Sequence, residues 1–275
     1  MSLLQVIILA VVQGFTEFLP ISSSAHLALA PWLLGWEDQG LTFDIALHLG
    51  TLAAVLVYFY RDWLHVTAMG FGLRLGGESE VKRNPKLLWL LAAASVPVAV
   101  FGLLFKDHAE TTLRSPFVIG TMLILVGVIM GIGDHIGTRK KGIGDITWMD
   151  GLLIGAAQAI AIIPGTSRSG ITITAALFRN IDRAAAARFS FLLSTPAIAG
   201  AAAKASYDLY KQGGVPESLV GPFCLGILLS AITGWAVIAL FLRFLRRNNL
   251  RFFVFYRIVF GIIIFALALF RQQAG

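Results

Sequence analysis

Long apolar runs, separated by short polar and charged segments, dominate this chain. Six of the runs have the roughly 20 residues that an α-helix needs to cross the hydrocarbon core of a bilayer. They cover about residues 42–60, 85–105, 116–136, 186–203, 219–242 and 252–270. The pattern therefore predicts an all-α polytopic membrane protein with six transmembrane helices.

Two further apolar segments, about 2–36 and 148–180, are interrupted near their middle. The first breaks at FLPISSSAH (18–26) and the second at IIPGTSRSG (162–170). In each, a proline ends the preceding helix, and the backbone groups freed at the break then need partners. At membrane depth such backbone is tolerated only where it faces protein or a water-filled cavity. We therefore expect two re-entrant helix-turn-helix hairpins in place of two additional spans.

The composition supports a membrane environment. Hydrophobic residues make up 57% of the 275 residues, the mean hydropathy is +0.80, and 13% of residues are charged. A soluble domain has about 25% charged residues, because its surface faces water. The net charge of +7 resides in short loops between apolar runs, which is typical of a topology signal and not of a nucleic-acid-binding face. The one cysteine, Cys224, can form no internal disulfide.

The loop charges predict an orientation. If both hairpins return to the side from which they enter, four loops share one side of the membrane: 61–84, 137–147, 179–185 and 243–251. These loops contain 13 basic residues: Arg61, Arg74, Lys82, Arg83, Arg139, Lys140, Lys141, Arg179, Arg183, Arg243, Arg246, Arg247 and Arg251. The opposite loops contain four: Lys106, Arg114, Lys204 and Lys211. Because basic loops stay cytoplasmic, both termini and the first hairpin are expected to face the outside.

A weak internal repeat fits this topology within a single membrane domain, residues 1–275. Residues 11–29 align with 156–173 after a one-residue gap. The matches are Gln13 with Gln158, Pro20 with Pro164, Ser23 with Ser167, and segment 43–55 with 189–201. Because the hairpins enter from opposite sides, the first half (1–136) and the second half (148–275) form an inverted repeat. Such repeats place broken helices and a binding site near the bilayer midplane.

The chemistry-bearing residues concentrate at the two breaks. Ionisable side chains at membrane depth are costly and are therefore functional candidates; here they are Glu17, His26 and Arg168. The amide and hydroxyl side chains around them are Gln13, Ser22, Ser23, Ser24, Thr166, Ser167, Ser169 and Thr172. If the hairpins meet, all these groups share one polar pocket.

The first break offers a carboxylate and a hydroxyl–imidazole pair. Glu17 follows Gln13 by four residues, so both lie on one helix face, and its carboxylate suits a metal ion or a general base. Ser23 and Ser22 precede His26 by three and four residues, so either hydroxyl could be activated by the imidazole. The structural alternative is that one of these serines is a helix N-cap.

The second break offers an anion site. Arg168 precedes the helical stretch ITITAALF, and a helix start together with a guanidinium favours phosphate oxygens. An ion pair between Arg168 and Glu17 is the structural alternative. Asp44 and His48, four residues apart in the first span, are expected to face the bundle interior. Asp150 is expected to form a capping box with Thr147.

These motifs resemble those of the undecaprenyl-diphosphate phosphatases linked to bacitracin resistance. The resemblance covers essentially the whole chain. It is carried by Gln13–Glu17 as (E/Q)-x-x-x-E, by FLPISSSAH after it, and by Pro164–Thr172 as P-G-x-S-R-S-x-x-T. Gln13 stands where many members have Glu, which argues against a charged metal ligand at that position.

The resemblance implies a multi-pass enzyme of the bacterial plasma (inner) membrane, with its site facing the periplasm or exterior. Its reaction would be hydrolysis of undecaprenyl diphosphate to undecaprenyl phosphate and inorganic phosphate, which recycles the lipid carrier for peptidoglycan synthesis. A divalent cation, Mg²⁺ or Ca²⁺, is implied at Glu17. Residues implied to act directly are Glu17, Ser23, His26 and Arg168. Residues implied to line the phosphates are Ser22, Ser167, Ser169 and Thr172. Gln13, Ser24 and Thr166, which belong to the same predicted polar pocket, are predicted to bind the substrate as well.

Several alternatives stay open at this point. Inverted repeats with broken helices are also typical of secondary transporters and flippases, although a transporter does not need a hydroxyl, an imidazole and a carboxylate together. The nucleophile is either Ser23, with His26 moving its proton, or a water activated by Glu17. The expected partners are the polyprenyl diphosphate and membrane lipid, with no nucleic acid; a homodimer is an open alternative.

Overall fold

Helices form the whole architecture of the described chain. The computed structural model describes residues 1–37, 40–73, 75–76, 79–105, 112–211 and 213–274, and these contain eleven α-helices and no β-strand. The helices are α1 (Leu3–Thr16), α2 (Ser23–Leu34), α3 (Gly40–Tyr58), α4 (Tyr60–Gly70), α5 (Leu87–Leu104), α6 (Pro116–Ile136), α7 (Trp148–Ala159), α8 (Arg168–Phe178), α9 (Arg183–Lys211), α10 (Glu217–Leu245) and α11 (Arg251–Ala274). Two residues of the loop-charge count, Arg74 and Lys106, lie outside the described residues.

Four helices, α5, α6, α10 and α11, are long and apolar enough to cross a membrane, and they correspond to four predicted spans. A fifth apolar unit combines α3 and α4, which are bent by 74° relative to each other at Phe59. The predicted span 186–203 lies inside α9, which is long but less apolar. The buried residues of α9 include Ser190, Ser194 and Thr195. Their hydroxyls make this helix less apolar, because it packs against polar parts of the protein as well as lipid. The chain is a multi-pass membrane protein.

Both interrupted segments fold as predicted, as a helix, a break and a second helix. In the first, α1 and α2 flank the break at residues 17–22. In the second, a short 3₁₀ turn at Ile160–Ile162 follows α7, and α8 begins at residue 168. Neither α1 nor α7 is long enough to span a bilayer, since a span needs about 20 residues.

The same cap begins the second helix of each hairpin. Ser22 and Ser167 have left-handed backbone, with φ of 76° and 68°, respectively. Each serine hydroxyl accepts a hydrogen bond from the N–H three residues later, at 3.4 Å from Ala25 and 3.1 Å from Gly170. A left-handed φ is unfavourable for a serine, so contacts around the two breaks must hold both turns in place.

These caps correct the predicted register of the internal repeat. The sequence alignment paired Ser23 with Ser167 and Pro20 with Pro164 by opening a gap. In the structure Ser22 is the counterpart of Ser167, no gap is needed, and Ser23 is the counterpart of Arg168. Aligning the prolines was wrong because the repeat preserves the hydrogen-bonded cap and not the position of the proline.

Helix packing also repeats between the two halves. The entering helix of each hairpin packs on a helix of the other half: α1 on α10, and α7 on α5. Both contacts depend on glycine. A Cβ at Gly14 would lie 2.8 Å from the Ser230 carbonyl oxygen of α10, and one at Gly155 would lie 2.2 Å from the Ala94 carbonyl oxygen of α5. Helices α3 and α9 pack on each other, as do α6 and α11. Residues 18–22 and 164–167 of the two breaks are buried, so both breaks face the interior.

A buried carboxylate fixes the loop end of the second hairpin. Asp150 forms the predicted capping box with Thr147 and also accepts hydrogen bonds from Lys141 at 2.9 Å and Arg179 at 2.7 Å. Burial raises the pKa of the Asp150 carboxyl, but the hydrogen bonds from Thr147, Lys141 and Arg179 outweigh it and lower the pKa to about 2. Lys141 and Arg179, which were counted among the basic loop residues, therefore also stabilise the fold.

Candidate active site

Glu17, the residue that follows α1, is the centre of a buried hydrogen-bond cluster. Its side chain is 5% exposed. The Oε2 atom accepts hydrogen bonds from Gln13 Nε2 at 3.0 Å and from Ser23 Oγ at 2.5 Å. The predicted placement of Gln13 and Glu17 on one helix face is confirmed. The hydroxyl of Ser23 therefore points at a carboxylate that is able to take its proton.

The second hairpin contributes Arg168 to the same cluster. Its Nη2 pairs with Glu17 Oε1, and its Nη1 donates to the carbonyl oxygen of Ser194 in α9 at 3.3 Å. The two hairpins therefore meet, and the ion pair considered as a structural alternative is present. Arg168 is the first residue of α8, so its charge adds to the positive end of that helix.

The two corresponding helix starts both contact Glu17. Ser23 is the first residue of α2, Arg168 is the first residue of α8, and both reach the carboxylate of Glu17. Two helix N-termini thus approach one cluster. The free N–H groups and dipoles of such helix ends favour a bound anion, and a guanidinium beside them adds a planar fork for phosphate oxygens.

His26 faces away from this cluster. Its Nδ1 donates to the Ser22 carbonyl oxygen at 2.7 Å, and its Nε2 lies 2.6 Å from the Tyr256 hydroxyl. The ring also stacks on Phe260, with centroids 4.9 Å apart. Because a carbonyl only accepts, Nδ1 carries a proton, and in the neutral ring Nε2 accepts from Tyr256. The spacing of Ser22 and Ser23 from His26 allowed a hydroxyl–imidazole contact, but in the structure both ring nitrogens have other partners.

A second histidine lies closer to the carboxylate. His48 Nε2 is 3.6 Å from Glu17 Oε2, and its Nδ1 donates to the Asp44 carbonyl oxygen at 2.7 Å. The Asp44 side chain pairs with Arg114 at 3.6 Å. The sequence signal for this residue was its spacing from Asp44 in the first span, but that spacing alone did not indicate which break His48 would face.

Each break also contains a pair of serines whose hydroxyls are hydrogen-bonded to each other. Ser22 and Ser24 are joined at 3.2 Å between their Oγ atoms, and Ser167 and Ser169 are joined at the same distance. Ser169 also donates to the Leu19 carbonyl oxygen at 2.9 Å, which ties the second hairpin to the first. Ser24 is exposed, whereas the other three serines are buried.

Two threonines predicted to bind the substrate, Thr166 and Thr172, are fully buried and have protein partners. Thr166 donates to the Ile160 carbonyl oxygen at 3.2 Å within the second break. Thr172 donates to the Arg168 carbonyl oxygen at 2.7 Å and lies 2.6 Å from the Ser190 hydroxyl of α9. Their hydrogen bonds shape the break and anchor α8 to α9.

Comparison with known proteins places the chain in a family. The family model described as bacitracin resistance protein BacA matches residues 6–263. The chain belongs to the BacA family. Three of its relatives are named undecaprenyl-diphosphatase. The protein from Desulforudis audaxviator is 46% identical over 265 residues (96% of this chain and 97% of the relative), and that from Moorella thermoacetica is 46% identical over 267 residues (97% and 98%). The protein from Pelotomaculum thermopropionicum is 44% identical over 273 residues (99% of both chains).

This BacA-family chain also has a buried arginine behind the site that sequence reasoning missed. Arg257 of α11 is 0% exposed. Its guanidinium donates to the carbonyl oxygen of Pro20 in the first break at 3.1 Å, and to those of Gly165 at 2.8 Å and Thr166 at 3.0 Å in the second. Further bonds reach the carbonyl oxygens of Leu123 and Met122 in α6. Arg257 therefore joins the two breaks of the BacA fold through hydrogen bonds to their backbone carbonyl oxygens.

The oxygen donors of this BacA site fit a metal ion only in part. Among the described residues, no group of three or more His, Cys, Asp or Glu side chains is placed to hold a metal. Glu17 supplies a carboxylate, and the buried Oε1 of Gln13 has no hydrogen-bond partner. Mg²⁺ is commonly held by one or two carboxylates together with substrate phosphates and waters. The two oxygens therefore fit a divalent cation that binds together with a diphosphate, not one held by the protein alone.

Proposed function

We propose that this protein is a membrane phosphatase that hydrolyses undecaprenyl diphosphate to undecaprenyl phosphate and inorganic phosphate. In this role it recycles the lipid carrier for peptidoglycan synthesis and confers bacitracin resistance. The observation that carries the proposal is the convergence of Glu17, Ser23 and Arg168 from two hairpins inside a membrane protein of the BacA family. A base, a hydroxyl nucleophile and a phosphate-binding cation are the groups that such a hydrolysis needs.

Binding of the diphosphate depends on positive charge and N–H donors. In the proposal, Arg168 exchanges part of its pairing with Glu17 for the phosphate oxygens, because a guanidinium binds either group bidentately. Helices α2 and α8 begin at Ser23 and Arg168, which both contact Glu17, so the N-terminal ends of both helices are close to this position. The serine hydroxyls of the two breaks supply further donors.

The geometry favours Ser23 as the nucleophile and Glu17 as its base. Ser23 Oγ attacks the terminal phosphorus while Glu17 Oε2, at 2.5 Å, takes its proton. The anhydride P–O bond breaks, and Glu17 returns the proton to undecaprenyl phosphate as it leaves. Water then attacks the phosphoserine, gives a proton to Glu17, and releases inorganic phosphate. Glu17 finally reprotonates Ser23, so all atoms and protons balance.

The two histidines have different proposed roles. His48, 3.6 Å from Glu17, is positioned to stabilise the carboxylate in its charged form when the imidazole is protonated. His26 is held by Tyr256 and the Ser22 carbonyl oxygen, so we assign it the positioning of the first break and not the transfer of the Ser23 proton.

A divalent cation, Mg²⁺ or Ca²⁺, belongs to the proposal. The Glu17 carboxylate and the side-chain amide oxygen Oε1 of Gln13 would hold it together with the substrate phosphates. When bound, the cation neutralises charge that develops on the transferred phosphoryl group.

The proposed membrane arrangement has six spans and two re-entrant hairpins in inverted repeat, in the bacterial plasma (inner) membrane. The excess of basic residues in four loops supports an outward-facing first hairpin and site. Ser24 is exposed, so a cysteine at this position in a Cys224→Ser background reports the orientation. Labelling of whole cells by a membrane-impermeant maleimide is expected. Labelling only from the cytoplasmic side of inverted vesicles would contradict the arrangement.

Phosphate release from undecaprenyl diphosphate by the purified protein tests the function. We expect release that requires a divalent cation and is lost on addition of EDTA. Arg168→Ala should reduce kcat by about 10²–10³-fold, as removal of a charge-stabilising donor does in other enzymes. Ser23→Ala should reduce kcat more, by up to about 10⁶-fold, as removal of a serine nucleophile does. Arg271→Ala is the matched control, because Arg271 is an exposed arginine that hydrogen-bonds the Trp32 carbonyl oxygen and lies over the Trp32 ring. Transport of the lipid without phosphate release would support the transporter alternative.

A further inference from the structure

The turn between α10 and α11 carries a group of arginines that has no role in the site described above. Residues 243–251 read RFLRRNNLR, and we call their four arginines the arginine cluster: Arg243, Arg246, Arg247 and Arg251. All four are exposed. The sequence has no Asp or Glu after Glu217, so no acidic residue is close to the cluster along the chain.

Several basic side chains in other loops of the same predicted side have acidic partners. Lys141 and Arg179 pair with Asp150, and Arg183 pairs with Asp134. Across the described part of the chain, by contrast, no hydrogen bond or ion pair is made by the side chains of the arginine cluster. The tendency of basic loops to stay cytoplasmic explains the side on which these arginines lie. It does not explain why four positive charges at one turn are left without a partner in the protein.

Hydrogen bonds fix the turn that presents the arginine cluster. The backbone N–H groups of Arg247 and Asn248 both donate to the Phe244 carbonyl oxygen, at 3.1 and 3.0 Å, respectively. The side chain of Leu250 is fully buried, and its N–H donates to Asp134 Oδ2 at 3.1 Å. The turn therefore keeps the four arginines at the adjoining ends of two helices.

Exposed apolar side chains follow the arginines along both helices. Leu240 of α10 is 67% exposed and lies three residues before Arg243, and Phe255 of α11 is 69% exposed and lies four residues after Arg251. Residues three or four apart lie on one helix face. Each helix therefore presents an arginine at its loop end and an exposed apolar side chain one turn further into the membrane. A phospholipid has the same order of groups, with its phosphate at the surface and its acyl chains inside.

We propose that the arginine cluster binds an anionic phospholipid of the adjoining leaflet, with its phosphate on the guanidinium groups and its acyl chains along Leu240 and Phe255. A guanidinium binds phosphate through two parallel hydrogen bonds. Clusters of four or more basic residues beside a transmembrane helix attract anionic lipid. The proposal uses none of the residues of the candidate active site, so it does not depend on the proposed phosphatase function.

Lipid binding by the purified full-length protein tests the proposal. The protein in detergent micelles is titrated with phosphatidylglycerol or phosphatidylcholine, and native mass spectrometry measures the fraction of protein that retains each lipid. We expect phosphatidylglycerol to bind more tightly than phosphatidylcholine. Arg246→Gln/Arg247→Gln should raise the Kd for phosphatidylglycerol by about 30-fold, from the usual contribution of two basic residues at an anionic surface. Equal affinity of the wild type for the two lipids would overturn the proposal.

A second double variant separates a local site from the total charge of the protein. Arg61→Gln/Lys86→Gln is the matched control, because both residues are exposed and the pair removes the same charge from the same predicted side. This control should bind phosphatidylglycerol as the wild type does. Equal weakening in the two double variants would show that only total charge matters and would overturn the proposal. Wild-type affinity in folded Arg246→Gln/Arg247→Gln would overturn it as well.

Two further measurements distinguish a lipid site from a site for free phosphate. Glycerol 3-phosphate has the charged group without the acyl chains, and we expect it to leave bound phosphatidylglycerol in place when it is added in equal amount. Phe255→Ala should raise the Kd for phosphatidylglycerol by about tenfold, because an exposed ring that the lipid would cover is lost. Phe270→Ala is the control, since Phe270 is 71% exposed at the other end of α11. Displacement by glycerol 3-phosphate, or unchanged binding in Phe255→Ala, would overturn the proposed lipid site.

Discussion

Replacing Arg257 with methionine should loosen both hairpins at once. The guanidinium is fully buried and donates to three break carbonyl oxygens, those of Pro20, Gly165 and Thr166. Among the described residues, no backbone N–H donates to these three oxygens. Methionine has a similar length but no donor, so the substitution leaves three buried acceptors unpaired.

The size of the effect follows from these contacts. A hydrogen bond to a charged group contributes about 1.5–3 kcal/mol net, so three correspond to on the order of 5 kcal/mol. For a protein of this size that lowers the unfolding temperature by roughly 10 °C. Because the same carbonyls belong to the turns that position Ser23 and Arg168, we also expect kcat to fall. Arg257→Lys keeps the charge without the planar fork and should be intermediate.

Thermal unfolding followed by tryptophan fluorescence, together with phosphate release, measures both effects. Arg271→Met on the same helix is the matched control, because Arg271 is exposed. If Arg257→Met unfolds within a degree or two of the wild type and hydrolyses at the same rate, Arg257 does not hold the breaks together.

Three further substitutions test individual contacts. Asp150→Asn should lower the free energy of unfolding at pH 7 by about 2 kcal/mol, because the lowered pKa of Asp150 stabilises the fold above the unfolded-state pKa. This stabilisation is lost as the pH falls through about 2. Thermal denaturation measures the difference, and an unchanged unfolding midpoint in Asp150→Asn would contradict the prediction. Gly155→Ala places a Cβ 2.2 Å from a backbone oxygen of α5 and should cost about 3 kcal/mol in unfolding measurements, while Gly221→Ala, with open space around it, should not destabilise. Tyr256→Phe leaves His26 Nε2 without its partner and should cost about 1–3 kcal/mol; equal unfolding temperatures would show that the hydrogen bond does not matter.

The sequence was sufficient to predict the helical class, the two breaks and the meeting of Glu17 with Arg168. Proline and the serine clusters mark the breaks directly, and charged side chains in apolar surroundings are rare enough to identify Glu17 and Arg168. Their contact required one further inference, that the two breaks face each other, and the inverted repeat supplied it. Of the six spans that the long apolar runs predicted, four correspond to helices that are long and apolar enough to cross a membrane.

The contacts made across the chain could not be predicted in this way. His26 has a suitable spacing to two serines, but its partner Tyr256 is 230 residues away in the chain. Arg257 looks like one more basic residue near the start of an apolar run, and only tertiary structure shows that its partners are backbone carbonyls. The register of the repeat failed because a proline is a stronger sequence signal than the serine cap that the structure preserves.

A double-mutant cycle on Glu17 and Arg168 tests most directly whether the two hairpins form one catalytic site. Phosphate release from undecaprenyl diphosphate is measured for the wild type, Glu17→Gln, Arg168→Gln and the double variant. If both residues act on the same phosphoryl group, each single variant loses most of the activity and the double variant is hardly worse than either. Losses that multiply independently, or wild-type activity in either single variant, would contradict a shared site.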